Sequence, residues 1–243
     1  MGKEISYKQF GEQAILVEWK AKISDEILKD ILSFKNKIEN NKETFYTDLI
    51  VGYNSLTIKY RNEFSDFFNE VEQLKCIYNS KEKVEKQSNF LWEIPVCYDM
   101  KFGVDLEEIS EKSQLSIKEI IQLHSENIYS VFFIGFLPGF LYLGGLNEQL
   151  YFDRKPTPRL KVEKGSVAIG GKQTGVYPIE SPGGWNIIGR SPINFFDIAK
   201  QNSCFSKSGD KIKFVPISIG EFYEVEEKIK QNTYQISKTL LDD

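Results

Sequence analysis

The sequence predicts an α+β protein in two parts: a small N-terminal α+β domain over residues 1–88 and a larger, β-rich domain over 89–243. Three observations predict it. Over roughly the first 80 residues, apolar residues at helical spacing alternate with short β-favouring runs. A polar, charged run from Lys81 to Ser88 then suits a linker or surface loop. Beyond Val131, short apolar runs alternate with Gly/Pro turns, the pattern of a barrel or a sandwich.

The first domain opens with a strand, Ala14 to Trp19. Ser24 reads as an N-cap, and Ile27, Ile31, Phe34 and Ile38 give one apolar helical stripe that ends near Asn40-Asn41. Leu49 to Val51 and Ser55 to Tyr60 read as two strands joined around Gly52-Tyr53-Asn54. A second amphipathic helix carries Phe67, Val71, Leu74 and Tyr78 on its face. The order β-α-β-β-α predicts two helices on one face of a sheet. The second domain opens with a strand from Phe90 to Val96, followed by short helices around Asp105–Lys112 and Ser116–Glu126. Ser116 and Glu119 form a capping box. Strands are expected at Val131–Phe133, Val167–Ile169, Asn186–Ile188 and Ile212–Val215, then a charged helical tail from Glu221 that frays towards Asp243.

Composition narrows the function. Net charge is −4 with acids and bases mixed, so no basic footprint for nucleic acid is present. No run of about 18 apolar residues occurs, and the polar N-terminus has no apolar signal core, so neither a membrane span nor secretion is expected. Met1-Gly2 with Ser6 matches a myristoylation pattern, but nothing nearby supplies the second signal that stable anchoring takes. Cys76, Cys97 and Cys204 are odd in number and far apart, and the chain holds one histidine. No disulfide framework and no metal site are expected, and the compartment is read as the cytoplasm.

Special residues collect between His124 and Asp197. This segment holds 11 of 17 glycines, 6 of 8 prolines and 3 of 4 arginines. A compact barrel needs many turns, which accounts for part of the glycine and proline. The arginines carry more information, because the chain uses Lys for 27 of its 31 cations. Arg154, Arg159 and Arg190 therefore read as positions where a planar fork for carboxylate or phosphate is wanted. The alternative is a structural staple pairing with Asp153, Glu163 or Asp197. Gly171-Lys172-Gln173-Thr174-Gly175 fails as a P-loop, since Ser166 stands where Gly is required and Gln173 where Ser or Thr binds magnesium. His124, seven residues after Ile117 and three after Ile121, lies on or beside the apolar face of its helix. It reads either as a satisfied core histidine or as a general acid/base.

Phe136-Leu137-Pro138-Gly139-Phe140-Leu141-Tyr142-Leu143-Gly144-Gly145-Leu146 resembles a signature block of the allophanate hydrolase subunit 1 (KipI) family. Thr157-Pro158-Arg159, Gly165 to Gly171, Gln173 to Pro178 and Ser181 to Pro192 resemble its further blocks. Ile94 to Tyr98 and Leu123-His124-Ser125 fit as well, so the resemblance spans effectively the whole chain. One departure is Tyr151-Phe152-Asp153-Arg154, where the family usually has proline before the arginine. The resemblance implies a cyclophilin-like β-barrel after the smaller α+β domain. It also implies the B component of an ATP-dependent 5-oxoprolinase, a hetero-oligomer that opens 5-oxo-L-proline to L-glutamate with the help of an A component and a C component. On that reading Arg159 is catalytic and Arg190 binds carboxylate or phosphate. Arg159 also binds carboxylate or phosphate. Gln173, Tyr177 and Ser181 line the pocket, Gly184-Trp185 forms a wall, and His124 is a candidate for proton transfer. The alternative implied is a regulatory protein that inhibits a sensor histidine kinase; a prolyl isomerase rests on fold analogy alone.

Overall fold

The computed structural model describes residues 5–41, 46–64, 66–81, 88–200 and 202–241. The chain divides into two compact units, Met1–Gln87 and Ser88–Asp243. Met1-Gly2, most of the expected 81–88 linker and the last two residues lie outside the described residues.

In the first unit, strands β1 (Ser6–Gln9), β2 (Ala14–Glu18), β3 (Tyr46–Val51) and β4 (Ser55–Tyr60) form an antiparallel sheet in the order β1-β2-β4-β3. Ile15, Val17, Leu56 and Ile58 are buried, the alternate positions of two neighbouring strands. Helix α1 (Asp25–Asn40) packs on β3, β4 and helix α2 (Phe67–Asn79). The Ser24 hydroxyl accepts from the Ile27 amide, as its N-cap position predicts. The buried stripe of α1 runs through Leu28, Ile31, Phe34 and Ile38, with Leu28 in place of the expected Ile27. Lys37 closes the helix end by donating to the carbonyls of Tyr78 and Ser80 at 2.6 and 2.7 Å.

The second unit is a closed barrel. Its strands are β5 (Asn89–Cys97), β6 (Ile128–Ile134), β7 (Leu141–Gly144), β9 (Ser166–Gly170), β10 (Gln173–Val176), β12 (Asn186–Arg190) and β13 (Lys211–Ile217). They run in the order β12-β9-β10-β7-β6-β13-β5, and pairing of Arg190 with Cys97 joins β12 back to β5. Among the described residues, only β5 and β13 pair in parallel. Barrel, not sandwich, is therefore the answer to the sequence pattern. A short ribbon, β8 (Arg159–Val162) with β11 (Ser181–Gly183), lies outside the barrel's strand order. Helices α3 (Leu106–Ser113) and α4 (Ile117–Ser125) add Leu106, Ile109 and Ile120 to the same apolar core as Val131, Val167 and Phe214. The Ser116/Glu119 capping box is formed.

The C-terminal tail corrects one expectation. Helix α5 (Ile219–Lys230) opens on a second capping box, Ser218 with Glu221. The chain then returns as strand β14 (Ser237–Leu241), antiparallel to the first half of β5, where a frayed end was expected. The physical reason is tertiary: the strand satisfies its backbone on β5 and sets Lys238 over the rings of Phe90 and Trp92 at 4.5 and 5.2 Å.

Candidate functional site

The barrel strands have two apolar faces. On β9, Val167 and Ile169 enter the barrel core while Ala168 points the other way; on β12, Ile188 and Ile187 divide likewise. The outward residues join Phe140, Val162, Tyr177 and Trp185 in a second buried cluster. Trp185 can lie flat there because residue 170 is glycine: a Cβ at Gly170 would stand 2.6 Å from the indole ring. Phe140 meets Trp185 and Tyr177 edge to face, each at 5.6 Å. Tyr177 follows β10 and turns its hydroxyl against Gly183 of β11, where a Cβ would collide with it. Burial pushes the Tyr177 phenol up, countered in part by the Trp185 backbone amide and by the charges of Arg154 and Arg159. The Arg154 guanidinium sits over the Trp185 ring at 5.7 Å.

Arg159 stands at the edge of this cluster, opposite Gly183 in the β8–β11 ribbon. Its Nη2 donates to Asp105 Oδ1 at 2.6 Å. Asp105, just before α3, is only 2% exposed, and its Oδ2 accepts from the Ile187 amide at 2.7 Å. Lys155 Nζ approaches Asp105 Oδ1 at 3.1 Å and also pairs with Glu108. The hydrogen bonds from Lys112 and Lys155 pull the Glu108 carboxyl down to about 2. The backbone of Lys155 is held in turn by the Gly184 carbonyl, 2.6 Å from its amide. Beside this network opens a cleft of about 360 Å³, lined among others by Glu108, Lys112, Tyr151, Asp153, Arg154 and Lys155.

Three polar atoms stand out in this unit. Arg159 Nη1, Gln173 Oε1 and Ser181 Oγ are buried, yet none has a hydrogen-bond partner among the described residues. Burying such groups unpaired costs about 1–3 kcal/mol each, so in a working protein they are met by something else. All three border the aromatic cluster: Arg159 and Ser181 through the ribbon that contributes Val162, and Gln173 through its pairing with Gly170 beneath Trp185. Of the expected site residues, the structure therefore brings together Arg159, Gln173, Tyr177, Ser181, Gly184 and Trp185.

Two expected residues lie elsewhere. Arg190 is a staple: its Nε donates to the Lys164 carbonyl at 2.9 Å, its Nη1 to Glu163 at 2.5 Å, and its guanidinium covers the Phe102 ring at 5.6 Å. Nε and Nη1 are thus engaged at the seam where β12 meets β5. His124 is fully buried and stacks on Phe214 at 4.7 Å. The Thr174 hydroxyl donates to the Ala168 carbonyl, so its oxygen accepts from His124 Nε2, and Nδ1 accepts from the Tyr98 hydroxyl. Both nitrogens are engaged and burial lowers the imidazole to about 3. Proton transfer at a solvent-open site does not fit that placement; the core reading of His124 does.

Sequence reasoning missed Asp105, Lys155 and Phe140 as parts of the site. Asp105 appeared only as a helix start, and its partner lies 54 residues away. Among the described residues, no group of three or more His, Cys, Asp or Glu side chains is placed to hold a metal ion. Nor is any helix among them long and apolar enough to cross a membrane.

Comparison with known proteins agrees with this architecture. Residues 5–206 match the family described as carboxyltransferase domain, subdomain C and D. The 5-oxoprolinase B component of Escherichia coli O157:H7 is 38% identical over 206 residues, covering 85% of this chain and 93% of that protein. Its counterpart in Bacillus subtilis (strain 168) is 32% identical over 234 residues, covering 91% and 96%. The crystal structure of a conserved uncharacterised protein from Pyrococcus horikoshii is 40% identical, with a TM-score of 0.53 over 89% of this chain and all of that one. The K. lactis urea amidolyase shares the fold alone: TM-score 0.81 at 16% identity, over 98% of this chain and 16% of the enzyme. The chain thus belongs to the carboxyltransferase subdomain C and D family, among proteins named as the B component of 5-oxoprolinase.

Proposed function

We propose that this chain is the B component of an ATP-dependent 5-oxoprolinase, opening 5-oxo-L-proline to L-glutamate with an A and a C component, and inactive alone. The observation that carries the reading is the set of buried, unpartnered atoms at Arg159, Gln173 and Ser181. A 5-oxoproline molecule offers the complementary groups: a carboxylate, a ring N–H and a carbonyl beside a small apolar ring. Arg159 Nη1 takes the carboxylate, Gln173 Oε1 accepts the lactam N–H, and the Ser181 hydroxyl donates to the carbonyl. Trp185 and Tyr177 cover the ring carbons. The names of the relatives support the same assignment.

We place ATP in the rest of the assembly. The β9–β10 hairpin that mimics a P-loop does not fit a phosphate chain: Lys172 lies over the Tyr151 ring at 5.6 Å, and the Thr174 hydroxyl is buried against His124 and Ala168. We place the assembly in the cytoplasm, where the three free cysteines stay reduced.

Arg159→Lys tests the site. A lysine keeps the charge but cannot serve Asp105 and a ligand carboxylate together. In the assembled enzyme it should lower kcat/KM for 5-oxoproline by about 100-fold, the scale of one charge-assisted hydrogen bond, while the complex still forms. An unchanged rate in the assembled variant would remove Arg159 from the site.

A further inference from the structure

We infer that Asp105 is the positioning residue of the site beside the aromatic cluster: it holds Arg159 so that Nη1 faces a ligand carboxylate, and thereby sets the preference for anionic over neutral lactams. The inference rests on the function proposed above, and it concerns a residue to which neither the sequence motifs nor the relatives draw attention.

A guanidinium on a flexible stem does not choose an orientation by itself. Here one Nη is committed to Asp105 at 2.6 Å, which leaves the other buried and without a partner among the described residues. Asp105 can serve as an anchor because it is itself fixed. Its second oxygen accepts the Ile187 amide, two residues beyond the Trp185 wall, and Lys155 approaches the first oxygen at 3.1 Å. The segment that carries Lys155 is held to Gly184 of the same wall. One carboxylate therefore ties the aromatic wall, the Lys155 segment and Arg159 into a fixed arrangement, and preorganisation of this kind raises selectivity more than it raises bulk stability. At 2% exposure Asp105 does not itself meet the ligand. It acts through Arg159.

The test uses the full chain assembled with its A and C partner components and compares equilibrium binding of 5-oxo-L-proline with that of 2-pyrrolidinone, the same ring without the carboxylate. The wild-type assembly should prefer 5-oxo-L-proline by about tenfold or more, the scale of one hydrogen bond to a charged group. Asp105→Asn keeps an acceptor for the Ile187 amide but loses the charge that fixes Arg159. It should erase most of that preference, leave 2-pyrrolidinone binding unchanged, and keep the melting midpoint near wild type. Equal loss for both ligands would mean a merely structural role and overturn the inference, as would an unaltered preference. If Asp105→Asn does not fold, Asp105→Glu carries the test, because it keeps the charge but moves the carboxylate that fixes Arg159 and should lower the same preference; an unaltered preference there also overturns it. An assembly that selects the carboxylate in this Asp105-dependent way yet does not turn over 5-oxoproline would keep the inference and sink the proposed function. Turnover with a preference untouched by either variant would do the reverse.

Discussion

With Nε2 on Thr174, Nδ1 on Tyr98 and its ring against Phe214, His124 stays neutral in the fold down to about pH 3. The unfolded chain takes up a proton at the same residue near pH 6.5. A histidine with a lowered folded-state pKa stabilises least in acid, so stability should fall as pH drops from about 6.5 towards 3. The slope approaches 1.4 kcal/mol per pH unit, and the step from pH 6.5 to 5 should remove roughly 1.5 kcal/mol. Urea unfolding at the two values measures it, and His124→Gln should flatten the dependence; an equally steep loss in the variant would show that another group titrates. The other residues at this scale show what a single sequence can and cannot say. Scarcity of arginine singled out Arg154, Arg159 and Arg190. Whether each forks onto a ligand, a ring or a neighbouring carboxylate depends on partners dozens of residues away. Arg190 found Glu163, an exposed pair worth about 0–1 kcal/mol. Arg159 found Asp105, which left one of its Nη groups over.

At the scale of elements, the second apolar layer depends on flat packing against β9. Gly170→Ala would drive a methyl group into the Trp185 ring, and the indole would have to shift to relieve it. Overpacking of this kind costs about 1–3 kcal/mol, and the displaced wall should weaken ligand binding as well. Thermal melting and 5-oxoproline binding of the variant check both halves, and an unchanged melting midpoint would mean that the wall is loosely held. Elements with strong local signals were legible: the helices with Ser N-caps, the capping box at Ser116, and the β-branched runs that became β9, β12 and β13. Strands β1 and β14 were not. Both are exposed almost throughout, so neither shows apolar alternation, and each exists because a buried neighbour offers its backbone. The pairing that closes the barrel was equally silent, since Arg190 and Cys97 are 93 residues apart and no local signal links the two.

At the scale of the molecule, the aromatic cluster, the Asp105–Arg159 pair and the unpartnered polar atoms form one candidate site outside the barrel core of the second unit. Its candidate recognition groups were singled out once the family resemblance was drawn, because Gln173, Tyr177, Ser181 and Trp185 fall inside the matching blocks. Its anchoring groups were not, because Asp105 and Lys155 carry ordinary charges whose meaning comes from burial and geometry. A site proposed to bind a lactam, beside a β9–β10 hairpin that does not fit a phosphate chain, calls for partners to complete the chemistry. The most direct measurement is 5-oxoproline-dependent release of ADP and glutamate by this chain alone and assembled with its A and C partner components. The expected result is no turnover by the chain alone and tightly coupled turnover by the assembly. An assembly that forms yet neither hydrolyses ATP nor opens 5-oxoproline in the presence of both would contradict the assignment.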